Sequence, residues 1–254
     1  MNSQPRNATP RSIDVTIDTI TDREKMPIPS DPEALVCTPT PLDPDGFNQS
    51  ATLPHGCRWQ HVKAAMEEYL RFLGFINRQM NSQSLPRLES MLMPANFSSI
   101  VGEFMSSTIP KHCSTLVKNR YHNGHPDLIP AKRFENDMCQ HGSEGVEIKG
   151  SRYLKSWQGH NPEDTWLMVF VFDSNRPVDV REGIAPKPFR YRMVVGAELK
   201  KRDWLFAGRS DTSRRTITAS VRDSGLEKMM GNWIYKEADL RLDHAAVDKL
   251  ARSR

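Results

Sequence analysis

A chain of 254 residues has room for one sizeable globular domain with a tail, or for two small domains. Its apolar share of 37% is below that of a wholly folded chain, so part of the sequence is expected outside the core. The formal net charge of +4 permits a nucleic-acid partner without demanding one, and no apolar run reaches the roughly 18 residues that a membrane span needs.

Residues 1–54 hold nine of the eighteen prolines and few large apolar side chains. Proline blocks helix over Pro27–Pro44, so this segment reads as a largely irregular or disordered arm, with one period-two stretch at Ile13–Ile20 that suits a short strand. Residues 55–254 form the expected folded domain. In 59–80, Val62, Met66, Tyr69, Leu73, Ile76 and Met80 recur at spacings of three and four, which predicts an amphipathic helix. A second helix is expected over about Phe97–Thr108, capped by Asn96 or Ser98 and stopped by Pro110.

From Asp127 onward the pattern changes to strands. Short strands are expected at Asp127–Ile129 and Val146–Ser151. The almost continuously apolar Thr165–Phe172 suits a central strand buried on both faces. Tyr191–Leu199 is a fourth strand, Arg215–Val221 a candidate edge, and Gly225–Trp233 and Leu240–Arg252 read as helices. The order of helices, a strand-rich centre and helices again predicts an α/β or α+β fold with a mixed sheet.

One constellation carries chemistry. Pro126-Asp127 is followed, after a loop, by Val146-Glu147-Ile148-Lys149. On a strand, Val146 and Ile148 turn to one face, while Glu147 and Lys149 turn together to the other. Asp127, at the end of a neighbouring strand, is in a position to meet them. Two carboxylates suit a hard divalent cation such as Mg²⁺, and the carbonyl oxygen of Ile148 offers a further ligand. Such an ion lowers the pKa of a bound water and offsets charge on a phosphate, while Lys149 orients the attacking water or neutralises the phosphorus centre. His122 and His125 beside Asp127 read as ordinary loop histidines, as does His160.

This arrangement resembles the PD-(D/E)xK nuclease superfamily, the fold of many restriction endonucleases, over roughly residues 96–200. The resemblance implies a restriction-endonuclease-like mixed sheet flanked by helices. It makes Asp127 and Glu147 the metal-binding acids and Lys149 the catalytic lysine. Many members carry a further glutamate on a preceding helix, a role that would fall to Glu103. The implied activity is Mg²⁺-dependent hydrolysis of DNA phosphodiester bonds, with Mn²⁺ as a substitute, most simply as a type II-like, sequence-specific homodimer whose interface uses the 59–80 helix. The rival readings are a repair, recombination or phage-defence nuclease of the same fold, and a non-catalytic DNA-binding protein that retains it.

The basic charge is concentrated behind these strands. Residues 175–223 contain nine Arg and three Lys against six acids. Arg209, Arg214 and Arg215 there, and Ser151 and Arg152 directly after Lys149, are the candidate contacts to double-stranded DNA. Cysteines 37, 57, 113 and 139 form no CxxC pair, which argues against a zinc ribbon, and His112 beside Cys113 and His141 near Cys139 read as ordinary residues. The sequence shows no phosphate-loop motif and no G-x-S-x-G elbow, so neither a nucleotide cofactor nor serine-hydrolase chemistry is expected. With no apolar leader in view, a soluble, cytoplasmic chain without membrane contacts is the expectation.

Overall fold

A computed structural model describes residues 31–159, 161–206 and 219–240 of the chain. The expected strand at 13–20, His160, Arg209, Arg214 and Arg215, and the expected helix beyond Leu240 lie outside the described residues.

Helices α1 (Pro32–Leu35), α2 (Trp59–Ser82), α3 (Leu88–Met91) and α4 (Pro94–His112) come first. Strands β1 (Leu116–Lys118), β2 (Leu128–Pro130), β3 (Val146–Ser151), β4 (Gln158–Gly159) and β5 (Thr165–Asp173) follow. The chain then forms α5 (Pro177–Arg181), β6 (Arg190–Leu199), β7 (Trp204–Phe206), β8 (Ala219–Val221), α6 (Asp223–Gly231) and β9 (Trp233–Lys236). Among the described residues no helix is long and apolar enough to cross a membrane.

The two long helices arise where the spacing places them, but α4 has different ends. Pro94 occupies its first turn, where a missing N–H costs nothing, so the helix begins ahead of Asn96 and Ser98. Pro110 lies inside it rather than ending it. So close to the terminus a proline removes little, and Cys113 N–H closes the last turn on Ile109 O at 3.0 Å. The apolar face of α2 (Val62, Ala65, Met66, Tyr69 and Leu73) is buried in the chain's own core, so it is not free to form a dimer interface.

Six strands form one mixed sheet in the order β1-β2-β3-β5-β6-β9. Only β3 and β5 run parallel; the other neighbours are antiparallel. The fold is therefore α+β with a mixed sheet flanked by helices. A smaller antiparallel sheet has the order β4-β8-β7, which makes Ala219–Val221 a central strand rather than an edge. Trp233, expected at the end of a helix, instead opens β9.

The large sheet has two covered faces. Val146, Ile148, Met168, Phe170 and Val194 meet α2 and α4 on one side. Leu167, Val169, Val171, Met193 and Val195 meet Trp157, Trp204, Val221 and Met229 on the other. Alternate residues of β5 thus enter two separate cores, which is why its sequence is apolar without a break.

The described part of the proline-rich arm packs along the sheet's last strand. Phe47 bridges to Tyr235, Asn48 N–H donates to Ile234 O at 3.0 Å, and Thr40 N–H donates to Phe189 O at 2.8 Å. These bonds cover an edge that would otherwise present unpaired backbone.

A buried polar network ties the helical layer together. The Arg87 guanidinium, 1% exposed, contacts Glu89 Oε1 (2.7 Å), Glu33 Oε2 (2.8 Å), Asn175 Oδ1 (2.8 Å) and Lys187 O (2.9 Å). Asn77 donates to the other oxygen of Glu89 at 2.9 Å. Every partner is satisfied, so removing one side strands a buried charge. Arg87→Ala is expected to cost about 3–5 kcal/mol in urea unfolding followed by circular dichroism. A loss below roughly 1 kcal/mol, the value of an exposed pair, would show that the network is dispensable.

Candidate active site

The site is built at the start of β3. Gly145, at φ +147, precedes it, and a Cβ there would lie 2.1 Å from Leu128 O. Only glycine lets the chain close onto β2, where Val146 pairs with Leu128. One step further along this antiparallel register, Asp127 comes opposite Glu147, so the two acids are cross-strand neighbours. Asp127 Oδ2 accepts the Ile148 N–H at 2.8 Å. A residue in a strand turns its N–H and C=O to the same side, so the Ile148 carbonyl leaves β3 on the side of that N–H, where a Cβ on Gly102 of α4 would meet it at 3.7 Å.

Glu147 and Lys149 share the face of their β5 partners Leu167 and Val169. Lys149 Nζ lies 2.5 Å from Glu147 Oε1. The other oxygen of Glu147 is 3.1 Å from His125 Nδ1. His125 Nε2 in turn stands 2.9 Å from Glu163 Oε2, an ion-pair contact whose angle does not make a hydrogen bond. His125 thus links two carboxylates, and its ring also stacks on His141 at 5.5 Å. The loop that carries it is latched by Asn119. That buried side chain donates to Pro126 O (3.0 Å) and Cys139 O (2.7 Å) and accepts from Cys139 N–H (3.0 Å). A cleft over the site is lined by Asn123, His125, Gln140, His141, Glu147, Lys149, Asn161, Glu163 and Trp204.

Helix α4 holds β3 from the opposite face. A Cβ on Gly150 would lie 2.4 Å from Ser98 O, so the helix and strand touch backbone to backbone directly beside Lys149.

The electrostatics divide the two acids. Burial, and then the charge of Glu147, push the Asp127 carboxyl up to about 7 against the pull of Lys149 and the Ile148 N–H. Burial also pushes Glu147 up, but the His125 hydrogen bond and the charges of Lys149 and His125 outweigh it and hold Glu147 well below the usual carboxylate range. Burial lowers Lys149, yet Glu147 and Asp127 win and raise it. Asp127, Glu147 and the Ile148 carbonyl make an all-oxygen donor set, the kind that suits a hard cation, and a cation there would relieve the repulsion felt by Asp127.

The structure brings Asp127, Glu147 and Ile148 together with Lys149. Glu103, 68% exposed on α4, pairs with Lys118 Nζ at 2.8 Å, and its charge is among those that push Asp127 up. A further carboxylate, that of Glu163, reaches the pair through His125. Ser151 hydrogen-bonds within its own turn, to Tyr153. Arg152 turns inward, donating to Ser174 O (2.8 Å) and Asn175 O (3.2 Å) beside the rings of Phe97 and Phe172. In the basic segment, Arg176, Lys187, Arg190, Arg192 and Lys200 are ion-paired within the chain.

No family model, no curated protein and no solved structure matches this chain. The site therefore stands on its own geometry.

One consequence concerns the metal-free protein. The folded-state pKa of Asp127 lies above its unfolded value, so its contribution is fully present below about pH 4 and is lost as pH rises through about 7. Asp127→Asn removes that loss. In chelator at pH 8 the variant should be more stable than wild type by at least about 1.4 kcal/mol, the value of one pKa unit, and the gap should close near pH 4. A variant less stable at pH 8 would overturn this reading of the Asp127 environment.

Proposed function

We propose that this chain is a metal-dependent nuclease of restriction-endonuclease-like architecture, hydrolysing DNA phosphodiester bonds. The reading is carried by one observation: Asp127, Glu147 and Lys149 converge at the start of a strand whose Ile148 backbone is turned toward Asp127. In this reading Asp127, Glu147 and the Ile148 carbonyl hold Mg²⁺ or Mn²⁺. An ion held there would supply a Lewis acid for a bound water and positive charge against the phosphate. Lys149, raised and therefore cationic, leaves Glu147 when substrate arrives and sits against the attacked phosphate or the incoming water. His125 fixes the orientation of Glu147, and Glu163 fixes His125.

A groove beginning at Lys149 supports a nucleic-acid substrate. It runs past Ser98, Gly150 and Lys155 to Arg176, with Tyr153 exposed on its rim. The N-terminal turn of α4 opens into it, adding backbone N–H groups beside a phosphate path. A homodimer would bring two such sites to both strands, on a surface other than the buried face of α2.

Supercoiled plasmid incubated with the protein and Mg²⁺ should be cut, and chelator should abolish the cutting. Lys149→Ala, Asp127→Ala and Glu147→Ala should each slow it by about 10²–10³-fold or more, and His125→Ala by about 10–100-fold. Discrete fragments would identify a sequence-specific enzyme, and nicks confined to branched substrates a structure-directed one. An intact plasmid with both Mg²⁺ and Mn²⁺, or full activity in Lys149→Ala, would sink the assignment.

A further inference from the structure

A second cluster lies in the helical layer, away from Asp127 and Glu147. The Sγ atoms of Cys57 and Cys113 and a ring nitrogen of His61 lie within 4.8 Å of one another. Both thiols are nearly inaccessible, at 5% and 2% exposure, while His61 is half-buried. The three residues come from separate pieces of chain: the turn before α2, the first turn of α2, and the residue that closes α4. Two thiols and an imidazole facing one another are not an ordinary core contact, since the same volume is filled more cheaply by aliphatic groups.

We propose that Cys57, His61 and Cys113 form a binding site for a thiophilic divalent cation, of which Zn²⁺ is the natural occupant, clamping the start of α2 to the end of α4. The donor set is that of a zinc centre, two thiolates and an imidazole, with a water or other small ligand in the fourth position. Zinc–sulfur bonds of about 2.3 Å and zinc–nitrogen bonds of about 2.0–2.1 Å place tetrahedral ligands roughly 3.4–3.8 Å apart, so binding needs a movement of at most about 1 Å between any two of the three atoms.

Burial and the neighbouring Cys113 push the Cys57 thiol up to about 12, so an ion must displace its proton on binding and the affinity falls as pH falls. The positive N-terminal end of the 24-residue α2 faces the thiolates, and the negative C-terminal end of α4 faces the cation. Coordination replaces the contacts that the three side chains now make, including that of the Cys57 thiol with Arg58 O. Arg58 N–H now donates to His61 Nδ1 at 3.1 Å. Coordination through Nδ1 takes that lone pair, and coordination through Nε2 requires Nδ1 to carry the proton. Thr115 Oγ1, 3.1 Å from Cys113 Sγ, now donates its hydrogen to His55 O, and would have to turn it to the sulfur to serve a coordinated thiolate. The ion would be structural: it joins two helices that both pack on the sheet face behind β3, and takes no part in the chemistry proposed for Lys149.

The full-length protein, reduced and stripped of metal, should be titrated with Co²⁺. A near-ultraviolet thiolate-to-cobalt band with visible tetrahedral bands should saturate at one equivalent and vanish when Zn²⁺ is added. Cys57→Ser and Cys113→Ser should abolish the band. His61→Ala, at a partly exposed position where folding is not at stake, should weaken binding at least ~10-fold. Cys37→Ser should keep the band, because that buried thiol lies beside Asn77, about 24 Å further along α2. Asp127→Ala should also keep it, which separates this site from the nuclease reading. A folded wild type with no thiolate band overturns the proposal, as does a band that survives in Cys57→Ser or falls equally in Cys37→Ser. Oxidation to a Cys57–Cys113 disulfide in a protein that shows no cobalt band when reduced overturns it too.

Discussion

The parallel pairing of β3 with β5 is the constraint on which the rest depends. It sets Val146 and Ile148 beside Met168 and Phe170, against α2 and α4, and Glu147 and Lys149 beside Leu167 and Val169, toward the second layer. A slip of one residue would bury two charges under the helices and turn two aliphatic side chains toward water. The helical layer therefore enforces the site as strictly as the site's own hydrogen bonds do. Because β2 pairs with β3 at a single position, the strand edge beside Ile148 is left for the Asp127 side chain rather than for another strand.

Two buried ionic assemblies in the same domain have opposite characters. Around Arg87 each of the three guanidinium nitrogens has an acceptor, two of them carboxylates, so the buried charge is answered as it stands. Around Asp127 two carboxylates face each other with Lys149 and His125 both drawn to Glu147, and Asp127 is left with one backbone N–H and an upward-shifted carboxyl. Local imbalance of this kind is a cost to stability. Proteins concentrate it where charge has to be handled rather than merely accommodated. The contrast within one chain is a stronger argument for chemistry at Asp127 than the motif alone.

What could be read from the sequence follows from which signals are local. The strand at 146–151 and the long strand from Thr165 show in period-two alternation and in an unbroken apolar run, because those patterns record faces of the same element. Strand β9 is four residues long and follows α6 after one residue, so helical periodicity ran over it. The early start of α4 is masked by Pro94, since proline disfavours a helix interior but fits its first turn. In sequence His125 reads as a loop histidine, because its partners, Glu147 and Glu163, are brought to it only by the fold. The cysteine–histidine cluster had no sequence signature for a related reason: one ligand lies a whole helix pair away from the other two.

Charge counting had the opposite failing and promised too much. The excess of positive residues after position 175 is real in the sequence, yet Arg190 and Arg192 are tied to Glu237 and Asp239, Lys187 to Asp173 and Arg176 to Asp179. Arg152 follows Lys149 by three residues, but its guanidinium caps the ends of neighbouring segments from inside. A basic side chain contributes to a substrate's field only to the extent that no acid already answers it. In the groove leading from Lys149 past the first turn of α4, Lys149 and Arg176 are themselves answered by Glu147 and Asp179, so among its described residues Lys155 and the backbone N–H groups of that turn are what it offers a phosphate backbone.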